Sequence, residues 1–271
     1  MDKKNSNISK SFLNLLEIMT SLRDPKSGCE WDKSQDSYSI RKYCIEEAYE
    51  VVDTIENNDI KGLCEELGDL LFQVIFHAEI NNEKGNFDIY DVINNLSKKM
   101  IRRHPHVFDN DLKTNSLKKI EKNWIEIKQK ERSKKGNKGM LEDIPKTFPA
   151  MTRSLKLQKR ASENGFDWDK AIDAYKKITE EKQELENAMT NDNYSEIEEE
   201  IGDLIFSVIN LSRKLKIDPE NALRITNKKF FDRITYIEHE LTSAGLKFNE
   251  TNLEDLEELW INAKKDVRQA K

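Results

Sequence analysis

The chain has 271 residues, of which only 9 are Gly and 5 are Pro, about 5% where roughly 12% is usual. That scarcity excludes turn-rich all-β architectures, collagen-like chains and Pro/Gly-rich disordered chains, leaving an all-α expectation. With 45 Lys+Arg against 51 Asp+Glu the formal net charge is −6, which speaks against a nucleic-acid polymer or a membrane surface as partner.

Along the chain, the first residues carry no apolar signal core, and Phe12, Leu15, Leu16, Met19 and Leu22 then keep a helical period. A polar loop with Asp24-Pro25, Gly28 and Trp31 follows. Long helices are expected near 38–56 and 60–82, joined by a tight Asn57-Asn58-Asp59 turn in which Asp59 can cap the second. A helix near 89–104 has Asp88 as its cap and is stopped by Pro105, and another runs near 117–132. Residues 134–139 read as an exposed linker between domains at 8–133 and 140–271. Further on, Asp218-Pro219 is an N-cap followed by proline at the first helical position. No segment alternates with period two. The most apolar run, Leu70–Ala78, is far shorter than the ~20 residues a membrane span needs. Cys29, Cys44 and Cys64 have no metal or disulfide spacing, so a reducing cytoplasm is the expected location.

The two halves are copies of one unit. A shift of 134 lays Ile45–Ala78 over Thr179–Ser212 with 12 identities in 34 positions. Trp31-Asp32 meets Trp168-Asp169 at 137, Lys98–Arg103 meets Lys228–Arg233 at 130, and Trp124 with Lys128 meets Trp260 with Lys264 at 136. Offsets that drift only between segments are what loop insertions leave behind.

Each copy carries Glu-Glu-x-x-Glu and then Glu-x-x-Asp: Glu46, Glu47, Glu50, Glu66 and Asp69, then Glu180, Glu181, Glu184, Glu200 and Asp203. Helical spacing turns each group to one side. Glu50 with Glu66, and Glu47 with Asp69, are equidistant from residue 58 at the turn; Glu184 with Glu200, and Glu181 with Asp203, are equidistant from residue 192. In antiparallel hairpins that register stacks four carboxylates in two layers. Like charges at such spacing repel by roughly 3–4 kcal/mol a pair, so the acids must face water, take up protons or hold cations. Acids embedded among Leu63, Leu67, Leu70, Leu71 and Phe72, beside Gly68 as a point of close approach, suggest a lined cavity. An all-oxygen set suits Mg²⁺ or Mn²⁺.

Lys99 with Arg103, and Lys229 with Arg233, share helix faces and are candidate phosphate contacts, or else solvated charge. Trp124 with Lys128, and Trp260 with Lys264, are candidates for base stacking and phosphate binding, or else core anchors. His104-Pro105-His106 reads as a helix terminus.

These residues resemble the MazG family of nucleoside triphosphate pyrophosphohydrolases, in the all-α NTP pyrophosphatase superfamily. The acid motif occurs twice, and the blocks Cys29–Gln35, Glu46–Val51, Glu66–Gln73, Arg102–Phe108, Lys156–Ala161 and Gly165–Trp168 match over about residues 10–268. The resemblance implies Mg²⁺-dependent cleavage of nucleoside triphosphates between the α- and β-phosphates, in a homodimer whose helices complete four-helix cores. It implies metal ligation by Glu47, Glu50, Glu66 and Asp69, and by Glu181, Glu184, Glu200 and Asp203. Lys128, Lys229, Arg233 and Trp260 match positions that hold the nucleotide, and Glu46 and Glu180 are spare carboxylates as candidate bases. Two departures are Glu30, where the family usually has proline, and Glu196, where related chains can carry a lysine. The rival expectations are a nucleotide-binding regulatory or scaffold protein with little turnover, and a metal-storage bundle.

Overall fold

The computed structural model describes residues 3–114, 116–134, 136 and 139–269, whose regular structure is all helical, with no strand among them. The chain divides into two compact units, Met1–Trp124 and Ile125–Lys271.

The first unit begins with α1 (Lys3–Leu22), then two short helices, α2 (Glu30–Ser34) and α3 (Ser37–Ile40). The hairpin α4 (Tyr43–Glu56) and α5 (Ile60–Glu83) follows, then α6 (Ile89–Arg103), the short α7 (Pro105–Phe108) and α8 (Leu117–Lys134). The division between the units falls inside α8, ahead of the 134–139 joint expected from composition; residues 135, 137 and 138 of that joint lie outside the described ones. The second unit continues with α9 (Ala150–Glu163), the hairpin α10 (Ala171–Thr190) and α11 (Tyr194–Lys214), α12 (Pro219–Ser243) and α13 (Leu253–Gln269). The fold is an all-α tandem duplication. Ten of its helices have 14 or more residues, five from each copy.

The caps follow the sequence. Asp59 accepts from the Gly62 amide, Asp88 from the Asp91 amide in a capping box, and Asp218 from the Glu220 and Asn221 amides. Pro105 ends α6 and opens α7 at its first turn, where a missing N–H costs nothing. Both hairpin turns place their middle residue in the left-handed region, Asn58 at φ 56° and Asp192 at φ 54°, which Asn and Asp tolerate because their short polar side chains bond locally.

One expected helix is interrupted. The stretch near 38–56 is broken at Arg41-Lys42, where α3 ends and α4 starts. The break lets Ile40 turn fully inward, into a core with Met19, Ile75, Phe76 and Ile80. Burial of that size, ~1.5–3 kcal/mol per large side chain, outweighs the few helical hydrogen bonds lost. In the second unit the fully buried residues include Ala174, Ile209, Ile237, Leu241 and Ala263.

The hairpins keep a second apolar face. Leu67, Leu71 and Val74 on α5, and Ile201, Ile205 and Val208 on α11, are all at least 40% exposed.

Candidate functional site

Each hairpin gathers acids across its two arms. In the first unit Glu47 from α4 meets Glu66 and Asp69 from α5, one carboxylate oxygen of each lying within 4.8 Å of the others. In the second, Glu181 and Glu184 from α10 meet Glu200 from α11 within the same span. The register argument therefore places three of the four expected acids in each trio. Glu50 stands beside the first, hydrogen-bonded to Glu47, and Asp203 beside the second, acting on Glu200. Glu46 and Glu180 are exposed, and Glu180 pairs with Lys177 at 2.7 Å.

The crowding is visible in the protonation equilibria. Burial, then Glu50 and Asp69, push the carboxyls of Glu47 and Glu66 above the ordinary range. Burial, then Glu184 and Asp203, do the same to Glu200. For Glu184 the largest cause is its hydrogen bond with Glu181. These acids hold protons more readily than free ones because burial and the neighbouring carboxyls disfavour the charged form. Glu200 Oε2 is shut off from solvent and has no hydrogen-bond partner among the described residues. An unpartnered buried carboxylate oxygen inside an all-oxygen donor set fits a hard divalent cation.

The copies differ where the chemistry would meet a ligand. In the second unit a cavity of about 800 Å³ opens beside Glu181 and Asp203, with Leu157, Phe166, Trp168 and Phe206 in its walls. That volume lies in the range of small-molecule sites. Lys177 stands in the same wall, its Nζ 2.8 Å from Glu181, a carboxylate whose side chain is only 6% exposed. In the first copy the shift of 134 puts Tyr43 at the position of Lys177 and Phe76 at that of Asn210. There the rings of Trp31, Tyr43, Phe72 and Phe76 pack together, with centroids 5.7–6.5 Å apart. Gly68 and Gly202 are not points of close approach within the chain: a Cβ at either would meet nothing within 4 Å.

The loop between α9 and α10 is strapped to α11. Asp167 accepts from Arg213 Nη1 at 3.2 Å and from Lys214 Nζ at 3.2 Å, and Lys214 also donates to the Trp168 carbonyl. The hydrogen bond from Arg213 holds the Asp167 carboxyl below the usual range. A depressed carboxyl contributes stability that is complete above its unfolded value, about 3.9, and is lost as pH falls through the folded value. Acid titration of the helical circular dichroism should therefore show loss of structure starting below about pH 4. Asp167→Asn should remove this part of the acid sensitivity.

The cationic and aromatic candidates fall into two clusters. In the second copy the Arg233 guanidinium lies 5.0 Å and Lys264 Nζ 5.9 Å from the centre of the Trp260 ring, which also meets Phe230. In the first, Arg103 lies 5.5 Å from the centre of the Trp124 ring, which also packs against His104. Lys128 follows one turn after Trp124 on α8. Lys99 and Lys229 are half-buried one turn before the two arginines. Sequence reasoning missed Gln158, Lys177, Asn210 and Arg213 in the cavity wall. The signal was present for two of them, since Lys177 and Asn210 replace aromatic residues of the first copy.

Comparison with known proteins places this geometry. The family model described as MazG nucleotide pyrophosphohydrolase domain matches residues 35–108 and again 170–236. The nucleoside triphosphate pyrophosphohydrolase/pyrophosphatase MazG of Thermotoga maritima is 43% identical over 253 residues, covering 93% of this chain and 95% of its own length. The nucleoside triphosphate pyrophosphohydrolase of Escherichia coli K12 is 42% identical over 255 residues, covering 93% and 96%.

Proposed function

The chain belongs to the MazG nucleotide pyrophosphohydrolase family, and from that membership we propose that it hydrolyses nucleoside triphosphates to the monophosphate and pyrophosphate. The observation that carries the reading to this chain is the second copy's cavity, whose lining joins the carboxylates of Glu181 and Asp203 with the rings of Phe166, Trp168 and Phe206. Glu181, Glu184, Glu200 and Asp203 would hold Mg²⁺, or Mn²⁺ in its place. The metal would supply charge neutralisation at the triphosphate and polarisation of the α-phosphorus.

The chain's own residues do the rest. Trp168, Phe166 and Phe206 offer apolar surface to a base and exclude water around it. Lys229, Arg233, Trp260 and Lys264 form the second copy's cationic cluster for phosphate and ribose. Glu180 is the spare carboxylate for the proton of an attacking water. Glu47, Glu50, Glu66 and Asp69 would hold the same metal in the first copy, with Glu46 as the spare acid and Lys99, Arg103 and Trp124 as the matching cluster. The packed rings of Trp31, Tyr43, Phe72 and Phe76 favour a second reading for that copy alone, a nucleotide-binding scaffold with little turnover.

Mass balance of the products tests the reaction: monophosphate and pyrophosphate should form in equal amounts with Mg²⁺ and not with chelator. Orthophosphate with diphosphate would overturn the bond assignment. Nucleotide binding without product would favour the scaffold reading throughout.

We infer that the exposed rows on α5 and α11 are covered in a homodimer, which would complete four-helix cores from paired hairpins. Leaving such faces in water costs about 25 cal/mol per Å². Sedimentation should give a particle of twice the 31.8 kDa chain mass, and Leu71→Lys with Ile205→Lys should yield monomer. No helix among the described residues is long and apolar enough to cross a membrane. The acidic chain is not expected to bind a nucleic-acid polymer.

A further inference from the structure

We propose that two side-chain amides in the second copy's cavity, Gln158 and Asn210, read the pairing edge of the nucleobase. The inference rests on the triphosphate reading above and adds how the base is held.

Both residues line the cavity, and each is only 7% exposed. Their orientations are fixed by partners that can play one role only. Asn210 Oδ1 accepts from Arg213 Nε at 3.0 Å and Nη2 at 2.8 Å. A guanidinium has no acceptor, so the Asn210 amide cannot turn over, and its NH₂ group is directed away from Arg213. Arg213 is in turn held by Asp167. Gln158 Nε2 donates to the Phe206 carbonyl at 2.8 Å, and a carbonyl has no donor. The Gln158 oxygen is therefore locked as an acceptor, and it is buried without a hydrogen-bond partner among the described residues. Leaving such an oxygen unpaired is costly, and a bound N–H would remove that cost.

The residues that line the cavity thus include one committed acceptor and one committed donor beside apolar and aromatic side chains. That is the complement of a nucleobase pairing edge, which is read by hydrogen bonds along the edge and stacking on the face. Every standard base carries at least one N–H and one acceptor on that edge. With both roles fixed, the pair suits bases that present donor and acceptor in one order, such as the amino group and ring nitrogen of adenine, and rejects a base that lacks either group. Nothing equivalent exists at the matching position of the first copy, where Phe76 replaces Asn210.

The test compares three triphosphates on the full chain with Mg²⁺. ATP has both groups, purine riboside triphosphate lacks the amino donor without added bulk, and 1-deaza-ATP lacks the ring acceptor. In the wild-type protein kcat/KM for pyrophosphate release should fall roughly 10- to 100-fold for each analogue. Gln158→Met should shrink the first gap below about threefold while keeping the second, and Asn210→Leu should do the reverse. Equal kcat/KM for all three substrates in the wild-type protein overturns the proposal and needs no variant to fold. Gaps that survive both substitutions overturn it as well. If no triphosphate yields pyrophosphate, the functional reading itself fails and takes this one with it.

Discussion

Glu181→Gln should lower pyrophosphate release on the order of 10²–10³-fold while leaving the helical content and melting temperature close to wild type. Glu181 is buried at the junction of the acid trio, the cavity and Lys177. The amide keeps its volume but carries no charge, so a divalent ion loses a ligand and the site loses part of its field. Glu47→Gln, the same change in the first copy, should cost less than about tenfold. That copy carries a packed set of aromatic rings, with Phe76 at the position Asn210 takes beside the cavity of the second copy. Steady-state kinetics on the two variants, with product identity followed by phosphorus NMR, decides the matter. Equal losses would mean that both copies turn over.

Lys177→Met should make the second unit depend on divalent metal for its stability. Lys177 bridges Glu180 at 2.7 Å and Glu181 at 2.8 Å, and its ammonium is held protonated far above the ordinary lysine value by those two carboxylates. Without it Glu181 is a buried carboxylate with no cationic partner, worth roughly 1–3 kcal/mol of lost stability for a half-shielded pair. Mg²⁺ at about a hundred times its dissociation constant returns ~2.7 kcal/mol by mass action. Thermal melts with Mg²⁺ and with chelator should therefore lie further apart for Lys177→Met than for wild type. The same shift in both proteins would show that Lys177 and the metal do not share Glu181.

Much of this was legible in the residues. The all-α class followed from the scarcity of Gly and Pro, and the duplication from self-comparison. The caps at Asp59, Asp88 and Asp218 followed from local hydrogen-bond chemistry, which needs no partner distant in sequence. The acid trios followed from hairpin register, because helical geometry is rigid over the few turns involved. What escaped depended on packing between elements. The break at Arg41-Lys42 is decided by where Ile40 buries, which periodicity along one helix does not record. The cavity is made by α9, the 164–170 loop, α10 and α11 together, so Gln158 and Arg213 carried no local mark. The glycines show the limit from the other side. Their position in apolar helices suggested a close neighbour, and none lies within the chain.

The antiparallel hairpin has one more consequence. Because acids on both arms are referenced to a single turn, the number of residues between Glu50 and Glu66 works as a measuring rod for the site. One residue added at Asn58 would carry α5 round by ~100° relative to α4 and scatter the carboxylates with every helix intact. The register between copies obeys this constraint. It stays at 134 across the whole of Ile45–Ala78, while the drift to 137, 130 and 136 is confined to segments outside the hairpin. Between the two copies, length has changed outside the hairpin and not between the two arms that must meet at fixed height.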